Sequence, residues 1–224
     1  MQNSKQLSSE QPLRIDIVSD VVCPWCVVGY RQLAAALKQT DTAHEIHWHP
    51  FELNPNMPSE GQNMREHITG KYGSSKQESD ASRAQITAVG SEVGFEFNFT
   101  DELRMHNTFN LHQLLQWADQ TEPSHMHDLK QALFTAHFTN GRNISDIEVL
   151  ADIAAEVGLD RNQALIILED QRFATEVRAE EQHWQQQGIQ SVPAMVFNER
   201  HLVSGAQGVE NYVNILEQLA NMRE

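Results

Sequence analysis

Near its start the chain alternates. Leu13, Ile15 and Ile17 stand apolar against Arg14 and Asp16, so the segment up to Asp20 is expected to be a strand with those three residues on one face. The period then lengthens. Cys26, Tyr30, Leu33 and Leu37 recur at spacings of four, three and four, which predicts a helix ending near Gln39 with these residues along its inner stripe. Alternation returns in Glu45-Ile46-His47-Trp48-His49 before Pro50 and predicts a second strand. A strand-helix-strand unit crosses over right-handed, so the two strands should pair in parallel.

Beyond Phe51-Glu52-Leu53-Asn54-Pro55 the apolar residues keep a helical period. Leu111, Leu114, Leu115 and Ala118 mark one helix, and Leu129, Leu133, Ala136 and His137 another. Ser145-Asp146-Ile147-Glu148 reads as a capping box ahead of Val149, Leu150, Ile153 and Val157, with Gly158 as the stop. Strand character resumes at Ala194-Met195-Val196-Phe197, turns at Asn198-Glu199-Arg200-His201 and returns in Leu202-Val203-Ser204. Gly205 and Gly208 lead into a last helix with Val209, Tyr212, Val213, Leu216 and Leu219 on one face. Together these elements describe an α/β fold with one sheet. Its halves are expected in residues 12–55 and 188–224, interrupted between the second and third strands by an all-helical insertion over residues 56–187.

Composition narrows the function classes. At 224 residues the chain can bury a core without disulfide staples, and no apolar stretch approaches the length of a membrane-spanning helix. Lys and Arg number 16 against 31 Asp and Glu, a net charge of -15 that repels phosphate backbones and anionic lipid. Neither nucleic acid nor membrane is therefore expected as a partner. Met1 to Pro12 is polar, without the apolar segment of a secretory signal, and a cytoplasmic location is the expectation.

Candidate chemistry concentrates in Cys23-Pro24-Trp25-Cys26, which holds the only two cysteines and lies where the first strand meets the first helix. Two thiols so spaced at such a junction suit a dithiol and disulfide pair. Pro24 lacks an amide hydrogen and fits the first helical position, which puts Cys23 at the N-cap and Cys26 in the first turn. A sulfur at the N-cap faces unpaired backbone N–H groups and the positive end of the helix dipole. Such settings bring a cysteine pKa from about 8.5 to roughly 3.5–7.5. Cys23 is thus expected to be the solvent-facing attacking sulfur, and Cys26, on the inner stripe, the shielded resolving sulfur.

Other uses of the pair fit less well. A structural zinc site needs four ligands, and no second cysteine pair supplies them. A disulfide closing so short a loop removes little chain entropy. His47 and His49 share a strand face, and His125 and His127 flank Met126, but neither pair has the cysteine or carboxylate company of a metal site, so no metal is expected. Trp25, between the cysteines, is expected to shape the substrate surface. Asp20 is read as a turn residue whose charge would oppose a nearby thiolate.

The order of elements, the paired cysteines at the first helix and the helical insertion resemble the DsbA-like oxidoreductases of thioredoxin fold. The likeness is nearest to the FrnE-like branch. It is carried by Ser19-Asp20-Val21-Val22-Cys23-Pro24-Trp25-Cys26, Pro50-Phe51-Glu52-Leu53-Asn54-Pro55, Asn107-Thr108-Phe109 and Val192-Pro193 followed by Gly205-Ala206-Gln207. In that fold the proline opening the third strand is cis and faces the active-site disulfide, which the resemblance assigns to Pro193. The backbone of Val192 would then be open to pairing with a substrate peptide. Where the branch commonly has glycine before this pair, Ser191 stands here.

The resemblance implies a thiol-disulfide oxidoreductase acting on protein or small-molecule disulfides. Cys23 and Cys26 would be catalytic, and Pro24, Trp25, Val192 and Pro193 substrate-binding. No bound cofactor is expected beyond the redox-active Cys23-Cys26 disulfide itself, with glutathione as a candidate co-substrate. The alternative is a glutathione-dependent isomerase or transferase, because 2-hydroxychromene-2-carboxylate isomerases and kappa-class glutathione transferases resemble the same architecture. Those relatives typically carry serine at the position of Cys23, and the intact pair weighs toward redox chemistry.

Overall fold

The structure, a computed structural model, describes residues 11–222. Residues 1–10, on which the reading about a secretory signal largely rests, lie outside the described residues. β1 (Leu13–Ser19), α1 (Pro24–Gln39) and β2 (His44–Pro50) form the opening unit. The chain continues through β3 (Gln62–Asn63), α2 (Met64–Tyr72), α3 (Lys76–Glu92), β4 (Arg104–Met105), α4 (Phe109–Thr121) and α5 (Pro123–Phe138). α6 (Ile147–Glu156), α7 (Arg161–Asp170) and α8 (Ala174–Gln186) follow, and the chain closes with β5 (Ala194–Phe197), β6 (His201–Ser204) and α9 (Val209–Asn221). No helix among the described residues is long and apolar enough to cross a membrane.

The main sheet has the order β2-β1-β5-β6. β1 and β2 pair in parallel, with Ile17 opposite Trp48, and β5 runs antiparallel to β1, with Ile17 opposite Met195. Three residues, Asn198 to Arg200, join β5 to β6; Asn198 and Glu199 adopt positive φ values of 49° and 57°, and the Arg200 N–H donates to the Phe197 carbonyl at 3.1 Å. β1 is therefore central and covered on both faces. Leu13, Ile15 and Ile17 join Met195 and Phe197 in the larger core, where α1 packs on α9, while Val18 joins Ala194, Val196 and Trp184 under α8.

The second covered face escapes the alternation because it also contains a charge. Asp16 is fully buried, bound by Arg14 at 2.8 Å and lying 2.8 Å from His49 Nε2. His49 Nδ1 lies 2.5 Å from Glu180 Oε1 on α8. Burial pushes the Asp16 carboxyl up, but the hydrogen bonds to His49 and Arg14 outweigh it and bring the pKa down to about 2. Burial likewise lowers His49, yet its two carboxylate partners prevail and raise it.

Between β2 and β5 the stretch is helical apart from a two-residue bridge, in which Gln62 pairs with Met105 and Asn63 with Arg104. Gly61 turns into that bridge at φ +65°, where a Cβ would meet the Met105 carbonyl oxygen at 2.4 Å, so no larger residue fits. The expected capping box at Ser145 does not form. Asp146 is the N-cap of α6 and accepts from the Glu148 N–H at 2.9 Å, while Ser145 Oγ donates to Asn143 Oδ1 and the Ser59 carbonyl. The charged side chain one position later is the stronger acceptor for the open helix end. A capping box is instead present at Ser75 and Glu78, starting α3.

Candidate active site

Cys23 is the N-cap of α1, with φ -95° and ψ 109°, and Pro24 follows at the first helical position. Asp20 closes the turn that brings it there. The Cys23 N–H donates to the Asp20 carbonyl at 3.2 Å, and the Cys26 N–H donates to the Cys23 carbonyl at 3.1 Å. Both thiols are free in this structure. Cys26 has no exposure, and Cys23 retains 5 %. The ranking follows the helical stripe, but Cys23 is not solvent-facing as expected. Helices α2 and α3 enclose its outer side, and it opens on a cavity of about 950 Å³.

The second sulfur sits behind the first. Burial pushes the Cys26 thiol well above the usual cysteine range, and its hydrogen bond with Cys23 adds to that, while the Asp20 backbone N–H draws it down. Across from them, the Val192-Pro193 peptide bond is cis and the Cys23 thiol donates to the Val192 carbonyl at 3.7 Å. The structure thus brings Cys23, Pro24, Trp25 and Val192 onto one cavity wall together with exposed Ser191. Cys26 and Pro193 stand behind that wall.

Pro193 is held from the helix side by Gly29. A Cβ there would lie 3.1 Å from Pro193 Cγ and 3.2 Å from Met195 Cε, closer than nearly all real contacts. Gly29→Val is accordingly expected to lose about 1–3 kcal/mol by overpacking. Urea unfolding checks it, and a midpoint equal to that of the wild type would contradict the tight contact.

The rest of the cavity is not visible as a pattern in the sequence. Met64, Ile68, Tyr72, Ile86, Phe99 and Met105 give it an apolar wall, and His67, Lys71 and Arg83 give it basic groups. Glu52 reaches it from the loop after β2. Burial, reinforced by Glu181, raises the Glu52 carboxyl, against the pull of Arg178.

A polar layer lies beneath Cys26. The backbone of Asp20 makes the expected turn, but its carboxylate is wholly buried. Leu53 N–H donates to Oδ2 at 2.8 Å, and His112 Nε2 lies 3.5 Å from Oδ1 and 3.1 Å from the Phe51 carbonyl. Lys130, on α5, is 1 % exposed, with its Nζ 5.3 Å from the ring centres of both Trp48 and Phe134. Of the histidines considered for a metal, His49 is held between Asp16 and Glu180, and His127 lies 2.9 Å from the Tyr30 hydroxyl and 3.3 Å from Trp48 Nε1.

A sheet built β-α-β then β-β-α, with two thiols at the start of its first helix and a cis-proline strand facing them, defines the class of thioredoxin-fold thiol oxidoreductases. The chain belongs to the family of DSBA-like thioredoxin domains, whose family model matches residues 14–217. It is 27% identical over 197 residues to "Uncharacterized protein YwbO" of Bacillus subtilis (strain 168), a match covering 88% of this chain and 92% of that protein. The crystal structure described as "probable DsbA oxidoreductase SCO1869" from Streptomyces coelicolor matches with a TM-score of 0.88 and 31% identity, covering 95% of this chain and 92% of that one. A 2-hydroxychromene-2-carboxylate isomerase shares the fold at a TM-score of 0.70 and 15% identity, covering 94% and 97%.

Proposed function

We propose that this protein exchanges disulfides with its substrates through Cys23 and Cys26, Cys23 attacking and Cys26 resolving. One observation carries the reading. Of two thiols within hydrogen-bond contact, Cys23 is on the wall of a large cavity and Cys26 is wholly buried behind it. Cys23, as thiolate, attacks one sulfur of a substrate disulfide, and the other sulfur leaves with the bonding pair and takes up a proton. Cys26 then gives up its proton and attacks the Cys23 sulfur. The second substrate thiol departs, leaving a Cys23-Cys26 disulfide. The substrate has gained two electrons and the protein has lost them. Run backward, the same steps oxidise a substrate dithiol, and the redox poise of the partner sets the direction.

The enclosure restricts what enters. A cavity of about 950 Å³ accepts a small disulfide or an extended peptide segment more readily than a folded protein surface. Pro24, Trp25 and Val192 form the edge against which such a substrate lies, and glutathione fits as the thiol that returns the protein to its starting state. The reduced protein, mixed with 5,5′-dithiobis(2-nitrobenzoate), is expected to release two aryl thiolates and lose both free thiols. Insulin reduction should be slower by about tenfold or more, a barrier difference of about 1.4 kcal/mol. Equal rates would indicate an open site. An isomerase using the same cavity without electron transfer would turn over its own substrate with the thiol count unchanged.

A further inference from the structure

Helix α2 forms one wall of the Cys23 cavity, yet few apolar contacts hold it there. Met64, at its start, is the one buried residue of its nine, and Ile68 is partly buried. The helix packs mainly on α3, β3 and β4, its neighbours along the chain. Its far side borders a depression of about 620 Å³, and His67 and Lys71 line both that depression and the Cys23 cavity. At these two residues the wall is one helix thick. Polar side chains tie it to the opposite side. Lys71 Nζ donates to the Leu53 carbonyl at 3.1 Å and to Asn54 Oδ1 at 2.8 Å, and His67 Nε2 lies 3.0 Å from the same Asn54 oxygen. Leu53 and Asn54 belong to the loop after β2, and that loop is anchored. The Leu53 N–H donates to Asp20 Oδ2 at 2.8 Å, and the Asp20 carbonyl holds the Cys23 N–H. One end of the tie is thus fixed to the turn that carries Cys23, and the other end is a helix with little else to restrain it.

Resting on the dithiol reading above, we propose that α2 is a lid on the Cys23 cavity and Asn54 its latch, a positioning residue that sets how large a disulfide substrate reaches the sulfur. With Asn54 engaged, α2 encloses Cys23 and small disulfides enter. When His67 and Lys71 let go, α2 tilts toward the depression behind it, and a disulfide carried on a protein segment gains access. The motion is confined at both ends. The helix starts at the β3-β4 bridge and stops at Gly73, whose φ of 67° turns the chain toward α3. Opening exchanges a few exposed hydrogen bonds for water, which costs little net free energy and disturbs no core. Lids of this kind open in microseconds to milliseconds, fast enough not to limit ordinary turnover.

Two substitutions of Asn54 test the latch because they act in opposite directions. Asn54→Ala removes the oxygen and frees both donors, whereas Asn54→Asp keeps an acceptor and strengthens its bond to Lys71 by charge. The rate of insulin reduction with dithiothreitol as terminal reductant is divided by that of uncharged 4,4′-dithiodipyridine in a single turnover. This ratio is expected to rise about tenfold in Asn54→Ala and to stay at or below the wild-type value in Asn54→Asp. Amide hydrogen exchange in α2 should quicken about tenfold in Asn54→Ala while β1 and α9 keep their wild-type rates. A purely structural loss at Asn54 would slow both substrates together. An unchanged ratio in Asn54→Ala, or an equal rise in Asn54→Asp, overturns the latch. If Asn54→Ala does not fold, Lys71→Met, at an exposed position, decides by exchange alone, and α2 amides as slow as those of the wild type refute the lid. A wild type that releases no second aryl thiolate sinks the dithiol reading instead, and the exchange rates still decide whether α2 is latched.

Discussion

Cys26→Ala is expected to accumulate mixed disulfides with its substrates, while Cys23→Ala forms none and exchanges no faster than free solution chemistry. The first variant keeps the sulfur on the cavity wall and the Val192 carbonyl beside it, so attack proceeds, but nothing behind Cys23 can then displace the adduct. The second variant leaves Cys26, which has no exposed surface and whose thiol burial holds in the protonated form. Only the thiolate is nucleophilic, so its reactivity should be near zero. Non-reducing gels and intact mass after mixing with a small disulfide give the answer. Equal adduct yields from the two variants would contradict the division of roles, and adducts from Cys23→Ala alone would reverse it.

The Arg14, Asp16, His49 and Glu180 cluster should dominate the pH dependence of stability. Asp16 has a folded pKa of about 2, below its ordinary 3.8, so its contribution is fully present above about pH 4 and is lost as the pH falls through about 2. The shift corresponds to about 2 kcal/mol. His49 is raised above its ordinary 6.5, so its contribution is present below that value and is lost as the pH rises through the folded pKa. Stability should therefore peak between about pH 4 and 6.5 and decline on both sides. Removing one member strands the others. Asp16→Ala is expected to cost about 3–5 kcal/mol, because His49 would keep a buried charge with one partner fewer. Urea midpoints at acid, intermediate and alkaline pH measure it. A variant with the same pH profile as the wild type would show that the cluster contributes nothing.

What the sequence discloses and what it conceals have a common cause. Periodicity reports a face buried in apolar company, so β1, α1, β2, β5 and α9 emerge nearly at their observed bounds. It does not report polar groups buried in partnership. Asp16 interrupts an apolar face with a charge, and Lys130, a charged residue next to Leu129, is covered by Trp48 and Phe134. The cysteine pair is legible because proline and helix geometry act within a few residues. Its enclosure is not, since α2 and α3 have weak apolar stripes and earn their position through Gly61 and the bridge between β3 and β4.

The hydrogen bond from Cys23 to Val192 spans 169 residues, and β1 owes one of its two strand neighbours to the last part of the chain. Synthesis at roughly 5–20 residues per second thus leaves a growing chain for many seconds with both thiols made and no proline strand to face them. β1 meanwhile offers an unpaired edge on the side that β5 will fill. The nascent protein is consequently most open to stray oxidation and to strand-mediated aggregation before the final helix emerges. The wall that faces the two thiols is among the last parts of the chain to be made.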